Sequence, residues 1–204
     1  MTQKATNYTL TKSKIISEAE LKTLLKAVQP SMEQAVRTNK RTHFVNDYYL
    51  VLIGSLTGMR VSEIISVRLG DISANSISVI GKGRKLRSIP LGRRSKAAVD
   101  ELLRLKQELL RHPMNPTDFL FINQNRDQFS RHAVAARLRF WLKRTGISRA
   151  VNFHGLRHQF ATYLLNRGFL IHEVSKIMGH SSISTTSIYL HFTRQTQDRI
   201  DSAL

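Results

Sequence analysis

Two short β-type runs, SISVIG (76–81) and RSIPL (87–91), interrupt a chain whose other apolar residues recur at helical spacing. Strand side chains alternate faces, whereas helical ones return every 3.6 residues. The change of period therefore confines any sheet to a small patch of a largely helical molecule. Between the two runs lies KGRKL, a basic, glycine-containing turn, which makes them the arms of an antiparallel hairpin. A third run, DFLFIN (118–123), follows Pro113 and Pro116 and reads as a further strand. The expected fold is mainly α with a small three-stranded antiparallel β-sheet, an α+β architecture.

The helices announce themselves at their ends. ISEAELKTLLKAV opens the first: Ser17 and Glu20 fit a capping box, Ile16 and Leu21 a hydrophobic staple. Leu21, Leu24, Leu25 and Val28 form its apolar stripe, and Pro30 is expected to end it, since proline lacks the N–H that the ladder needs. HFVNDYYLVLIGSLTGMR reads as a largely buried second helix that stops near Gly58, and VSEIISV as a short third. GRRSKAAVDELLRLKQELLRH returns to helical period through Val99, Leu102, Leu103, Leu105, Leu109 and Leu110. SRHAVAARLRFWLKRTG is a helix with Ser130 as its cap and Gly146 as its stop. A histidine-containing stretch at 154–158 precedes an apolar helix, FATYLLNRG, and a shorter one, IHEVSKIMG. The expected organisation is a flexible basic arm over 1–14 and one domain over 15–204, closed by a tail helix at about 192–204.

Charge says most about the partner. Lys and Arg total 32 against 14 Asp and Glu, a net charge of +18. Self-repulsion of that size is relieved by an anionic partner, and nucleic acid supplies one whose phosphates release counterions on neutralisation. Cysteine is absent, which excludes disulfides, thiolate metal sites and cysteine nucleophiles. No apolar run approaches the ~18 residues of a membrane span. The first residues carry charge without the apolar core of a secretory signal. A cytoplasmic protein with no membrane partner is expected.

Five segments place basic or hydroxyl side chains where helices or strands end: TGMRVSE with Arg60, GKGRK with Lys82, HGLRH with His154 and Arg157, GH with His180, and IYLH with Tyr189. Singly each is weak, because an arginine after a glycine turn is commonly just solvated. His154 and His158 stand at i and i+4, but there is no HExxH and no acidic cluster nearby, so neither a metal nor another cofactor is expected. Converging on one phosphodiester, the five have a chemistry. Two guanidinium forks, Arg60 and Arg157, take the non-bridging oxygens of a trigonal-bipyramidal phosphorus without a metal ion. His180 adds a hydrogen bond, and Lys82 protonates the departing 5′-oxygen. Tyr189 attacks, with His154 handling a phenolic proton whose pKa is otherwise near ~10. The resulting phosphotyrosine conserves the energy of the broken bond, so rejoining needs no ATP.

TGMRVSEIISVRLGDI, VIGKGRKLRSIPL, HGLRHQFATYLLNRG and IMGHSSISTTSIYLH together resemble the signature boxes of the tyrosine recombinase, or phage integrase, family. The order is the family's: Arg, Lys, His-x-x-Arg, Gly-His, then Tyr nine residues after the His. The resemblance implies that family's catalytic-domain fold and site-specific recombination of DNA through a 3′-phosphotyrosine intermediate. It makes Arg60 and Arg157 the phosphate clamp, Lys82 the general acid, His154 and His180 the active-site histidines, and Tyr189 the nucleophile. Glu63 matches the family's supporting acidic residue and is expected to orient its neighbours. Lys85 and Arg87 are expected to touch DNA phosphate or flanking bases, and His158 to be structural. Double-stranded DNA at specific sites is the implied partner, engaged by a homotetramer on two sites, with accessory proteins or a partner recombinase as further partners. The tail, with Phe192, Ile200 and Leu204 as apolar anchors, either docks on a neighbouring protomer or frays. A bacterial, phage, plasmid or mobile-element gene is implied.

Full-length members carry a helical core-binding domain ahead of this one, whereas Ser17 here already begins the first catalytic-domain helix. Two origins fit, an excised catalytic fragment or a compact recombinase of the fimbrial-switch kind. Two other functions share much of the pattern. A type IB topoisomerase uses similar chemistry without a site requirement, and a silent DNA-binding module has no need of Tyr189, Lys82 and two phosphate arginines together. Integration, excision, inversion and resolution are all open outcomes.

Overall fold

The computed structural model describes residues 15–81, 86–110, 113–123, 127–147 and 151–179. The basic arm, the hairpin turn with Lys82 and Lys85, and the segment with His180, Tyr189 and the tail helix lie outside them. The described chain forms α1 (Glu18–Thr38), α2 (His43–Thr57), α3 (Val61–Ser66), a 3-10 turn (Leu69–Asp71), β1 (Ser76–Ile80), β2 (Leu86–Pro90), α4 (Arg93–Leu110), α5 (Arg131–Arg144), α6 (Phe153–Asn166) and α7 (Ile171–Met178). No helix among the described residues is long and apolar enough to cross a membrane.

The capping box that opens α1 is present, with the Ser17 hydroxyl accepting from the Glu20 N–H and the Glu20 carboxylate accepting from the Ser17 N–H. Pro30 does not end this helix; it sits inside it. The buried stripe explains why: Leu21, Leu24, Val28, Met32 and Ala35 keep helical period across the proline. Pro30 itself faces solvent, so the lost backbone bond is offset by apolar burial on the other side. Helix α1 packs mainly on α2, the central helix, which also meets α4 and α6. Asp47 of α2 is buried and accepts from the guanidinium of Arg137 and from Trp141 Nε1 at 2.8 Å, which ties α2 to α5. A buried carboxylate is tolerable only with such partners.

The hairpin forms where the period changes, with Ile77 opposite Ile89 and Val79 opposite Arg87. Among the described residues the sheet has two strands rather than the expected three. DFLFIN contributes only isolated bridges, Phe119 with Arg68 and Ile122 with Gln128. Its apolar residues Leu120 and Phe121 are fully buried, so the apolar run reflects burial in the core rather than ladder pairing. A second boundary also moves: residues 154–158 lie within α6, in continuous helix with the apolar stretch that follows. The Asn152 side chain caps α6 by accepting from the Gly155 N–H at 3.1 Å, and so fixes the start ahead of the histidines.

One large core spans α1 to α6, and a smaller cluster of Ala161, Leu164, Leu165, Val174 and Met178 joins the second half of α6 to α7. Replacing Pro30 with Ala should restore one ladder bond on an exposed face and raise stability by about 1–3 kcal/mol. A urea midpoint at or below that of the parent would show that the helix had adapted to the proline.

Candidate active site: three arginines around one buried carboxylate

The site grows out of the turn between α2 and α3. Gly58 caps α2 in the left-handed region at φ +61, and its N–H donates to Gly54 O at 3.0 Å. A Cβ at Gly58 would lie 2.4 Å from Phe160 Cδ1, so both the backbone conformation and the approach to α6 require glycine. The chain then straightens through Arg60, whose backbone N–H donates to Glu63 Oε2 at 2.7 Å and so caps α3.

Glu63 is 2% exposed and accepts four hydrogen bonds. Besides the Arg60 N–H, Oε1 takes Arg60 Nη1 at 2.8 Å and Arg87 Nε at 3.2 Å, and Oε2 takes Arg87 Nη2 at 2.9 Å. Arg157 Nη1 stands 4.0 Å from the same Oε2. Burial by itself would raise the Glu63 pKa. The hydrogen bonds from the Arg87 side chain and the Arg60 backbone, with the Arg87 charge and the Arg60 side chain behind them, outweigh it and hold the pKa below the ordinary carboxylate value. Three guanidinium groups around one carboxylate leave an excess of two positive charges in a small volume.

The far wall is the end of α7. Its last carbonyls lack helical partners and carry the negative end of the helix dipole, and each meets an arginine. Ile177 O accepts from Arg87 Nη1 at 2.9 Å, Met178 O from Arg157 Nη2, and Gly179 O from Arg60 Nη2 at 3.2 Å. Arg157 also donates through Nη1 to Gly58 O at 2.6 Å and is 1% exposed. Gly179 caps α7 at φ +62, and a Cβ there would sit 2.7 Å from Arg87 Nη1.

One turn of α6 brings His154 beside Arg157. The imidazoles of His154 and His158 meet edge to face, with centroids 4.3 Å apart. His154 is exposed as a residue, yet partial desolvation, followed by the Arg157 and Arg60 charges, lowers its pKa from the ordinary value. Its neutral form is the one present at pH 7. His158, in contrast, is buried.

Of the residues singled out from sequence, Arg60, Glu63, Arg87 and Arg157 converge, with His154 alongside; Lys82, Lys85, His180 and Tyr189 lie outside the described residues. Arg87, expected to touch DNA phosphate or flanking bases, turns its side chain inward onto Glu63, at 17% exposure. A sequence signal for this existed: Arg87 lies two residues before Ile89, on the same face of β2, and Ile89 is buried. The acceptor carbonyls at the end of α7 left no signal, because any residue supplies a carbonyl.

The family model described as "Phage integrase family" matches residues 14–196. Tyrosine recombinase XerD of Listeria monocytogenes is 36% identical over 152 residues, covering 74% of this chain and 51% of that protein. Tyrosine recombinase XerC of Staphylococcus epidermidis is 32% identical over 180 residues, covering 87% of this chain and 57% of that protein. The chain thus spans about half the length of the relatives it matches. Among solved structures, XerA recombinase superposes with a TM-score of 0.72 at 27% identity, covering 93% of this chain and 64% of that one. XerH recombinase in a post-cleavage complex with its difH substrate gives 0.75 at 24% identity, covering 98% and 55%, a likeness of fold.

Because the folded pKa of His154 is depressed, the folded protein holds fewer protons there than the unfolded chain. Its contribution to stability is therefore present above the unfolded value and is lost as pH falls through the folded one. An NMR titration should place the His154 midpoint below 6.5. A midpoint at or above that value would mean that neither desolvation nor the neighbouring guanidinium groups act on it.

Proposed function

Since the chain belongs to the phage integrase family, we propose that it breaks and rejoins double-stranded DNA at specific sites through a covalent 3′-phosphotyrosine link. The observation that carries this is the arginine group: two clamp candidates, Arg60 and Arg157, meet at one anchored carboxylate with positive charge left over. A phosphodiester oxygen is the ligand that such a pair of forks suits, and its charge grows as the reaction proceeds. The α7 carbonyls now on these forks are weaker acceptors than a phosphate oxygen.

In the proposed step the Tyr189 oxygen attacks phosphorus, and the bond from phosphorus to the 5′-oxygen breaks. The phenolic proton goes to His154, whose lowered pKa keeps it neutral and able to accept. Lys82 gives its proton to the 5′-oxygen, and Arg60, Arg157 and His180 hold the non-bridging oxygens. Glu63 keeps Arg60 in place. The reverse attack by a free 5′-hydroxyl rejoins the strand, so neither ATP nor a metal ion enters. Lys85 meets the DNA backbone, and a homotetramer on two sites, with accessory proteins or a partner recombinase, carries out the exchange.

The test uses nicked duplexes pooled from the flanks of the protein's own locus. The wild type should form an adduct that survives denaturation, and Tyr189→Phe should form none. Arg60→Ala or Arg157→Ala should slow adduct formation about 100- to 1000-fold. An adduct in the Phe variant would remove Tyr189 from the mechanism. Tight binding with no adduct would make the chain a silent DNA-binding module, and relaxation of supercoiled DNA of any sequence would make it a topoisomerase.

A further inference from the structure

We propose that Arg87 is a positioning residue of the phosphate clamp: it binds Glu63 and the end of α7 at once, so that the carboxylate's charge is spent on an arginine that does not touch the phosphate. The inference rests on the strand-cleavage reading above and extends it to a residue expected from sequence to meet DNA.

Three features of the structure carry it. Arg87 offers Nε and Nη2 together to Glu63, a two-pronged bond that lysine has no means to copy, and its remaining Nη1 reaches Ile177 O at 2.9 Å. One guanidinium thereby joins β2, α3 and α7, three elements far apart in the chain. Next, Gly179 has no side chain where a Cβ would lie 2.7 to 2.9 Å from Arg87 Nη1, Cδ and Cζ, so the end of α7 is shaped to let this arm pass. Finally, Arg87 lies on the inward face of the hairpin, opposite the buried Val79.

The charge distribution gives the arrangement its purpose. Glu63 has room for about four hydrogen bonds, and Arg87 fills two of them. Without Arg87, a buried carboxylate would be left short of partners. It would draw on Arg60, already bonded to it, and on Arg157 Nη1, 4.0 Å away. Each clamp arginine drawn further onto Glu63 is less available to a phosphate. Arg87 keeps Glu63 satisfied, so that neither clamp arginine is drawn further onto the carboxylate.

The test compares wild type with Arg87→Lys, alone and in a Glu63→Gln background, on the nicked duplexes described above and below the thermal midpoints of all variants. Arg87→Lys should lower the single-turnover cleavage rate at saturating DNA about 10- to 100-fold, while the half-saturating DNA concentration and the salt slope of binding stay as in wild type. In the Glu63→Gln background, where no buried charge remains to be satisfied, the same change should have little further effect. Equal cleavage by Arg87→Lys and wild type would overturn the proposal. So would weaker binding with a salt slope reduced by about one, the mark of a lost phosphate contact. Full additivity of the two changes would also overturn it, since Arg87 would then act independently of Glu63. Cleavage absent from wild type itself would sink the strand-cleavage reading, and the proposal with it, a result distinct from all of these.

Discussion

The Glu63 carboxylate, buried and accepting four hydrogen bonds, is the constraint on which the rest of the site depends. An ionised group removed from water is tolerable only when its lone pairs are filled and its charge is matched. Meeting that demand brings together the α2–α3 turn, the inner face of the hairpin and, through Arg157, the first half of α6. Charges that would repel one another are thereby held close, and the residual positive charge is concentrated in one small volume. The carboxylate is thus a means of packing arginines densely.

The end of α7 completes the enclosure through backbone rather than side chains. Three consecutive carbonyls, which a helix leaves without partners, each accept from a different arginine. The small cluster that holds α7 against α6 therefore does more than seal an edge of the fold. Because Met178 contributes both a buried side chain to that cluster and a carbonyl to Arg157, apolar packing and polar geometry are set by the same residue. Gly58 has a parallel role on the opposite side, closing α2 and offering its own carbonyl to Arg157.

Away from the site, Asp47 repeats the principle on a smaller scale. Its buried carboxylate, bonded to Arg137 and Trp141, joins the central helix to α5. The two carboxylates differ in what surrounds them. Asp47 is matched by one guanidinium and one neutral indole, which leaves no surplus charge, whereas Glu63 sits among three guanidinium groups.

The sequence by itself determined the helices whose ends are chemically marked: the Ser17–Glu20 box, the Gly58 stop, and the Ser130 cap all stand where local chemistry puts them. It determined the hairpin too, because a change from period 3.6 to period 2 is a local property. Its spaced motifs singled out Arg60 and Arg157, and the family resemblance Glu63, three residues that the fold brings together. Tertiary structure decided the rest. Pro30 stays inside α1 because burial of a stripe on the far face outweighs one lost bond, and DFLFIN fills the core without joining the sheet because a short apolar run is equally suited to either. Only the folded chain aims Arg87 at Glu63 and sets the α7 carbonyls against three arginines. Those contacts link residues 24 to 119 positions apart, and neither propensity nor spacing records which distant backbone oxygen a guanidinium will find.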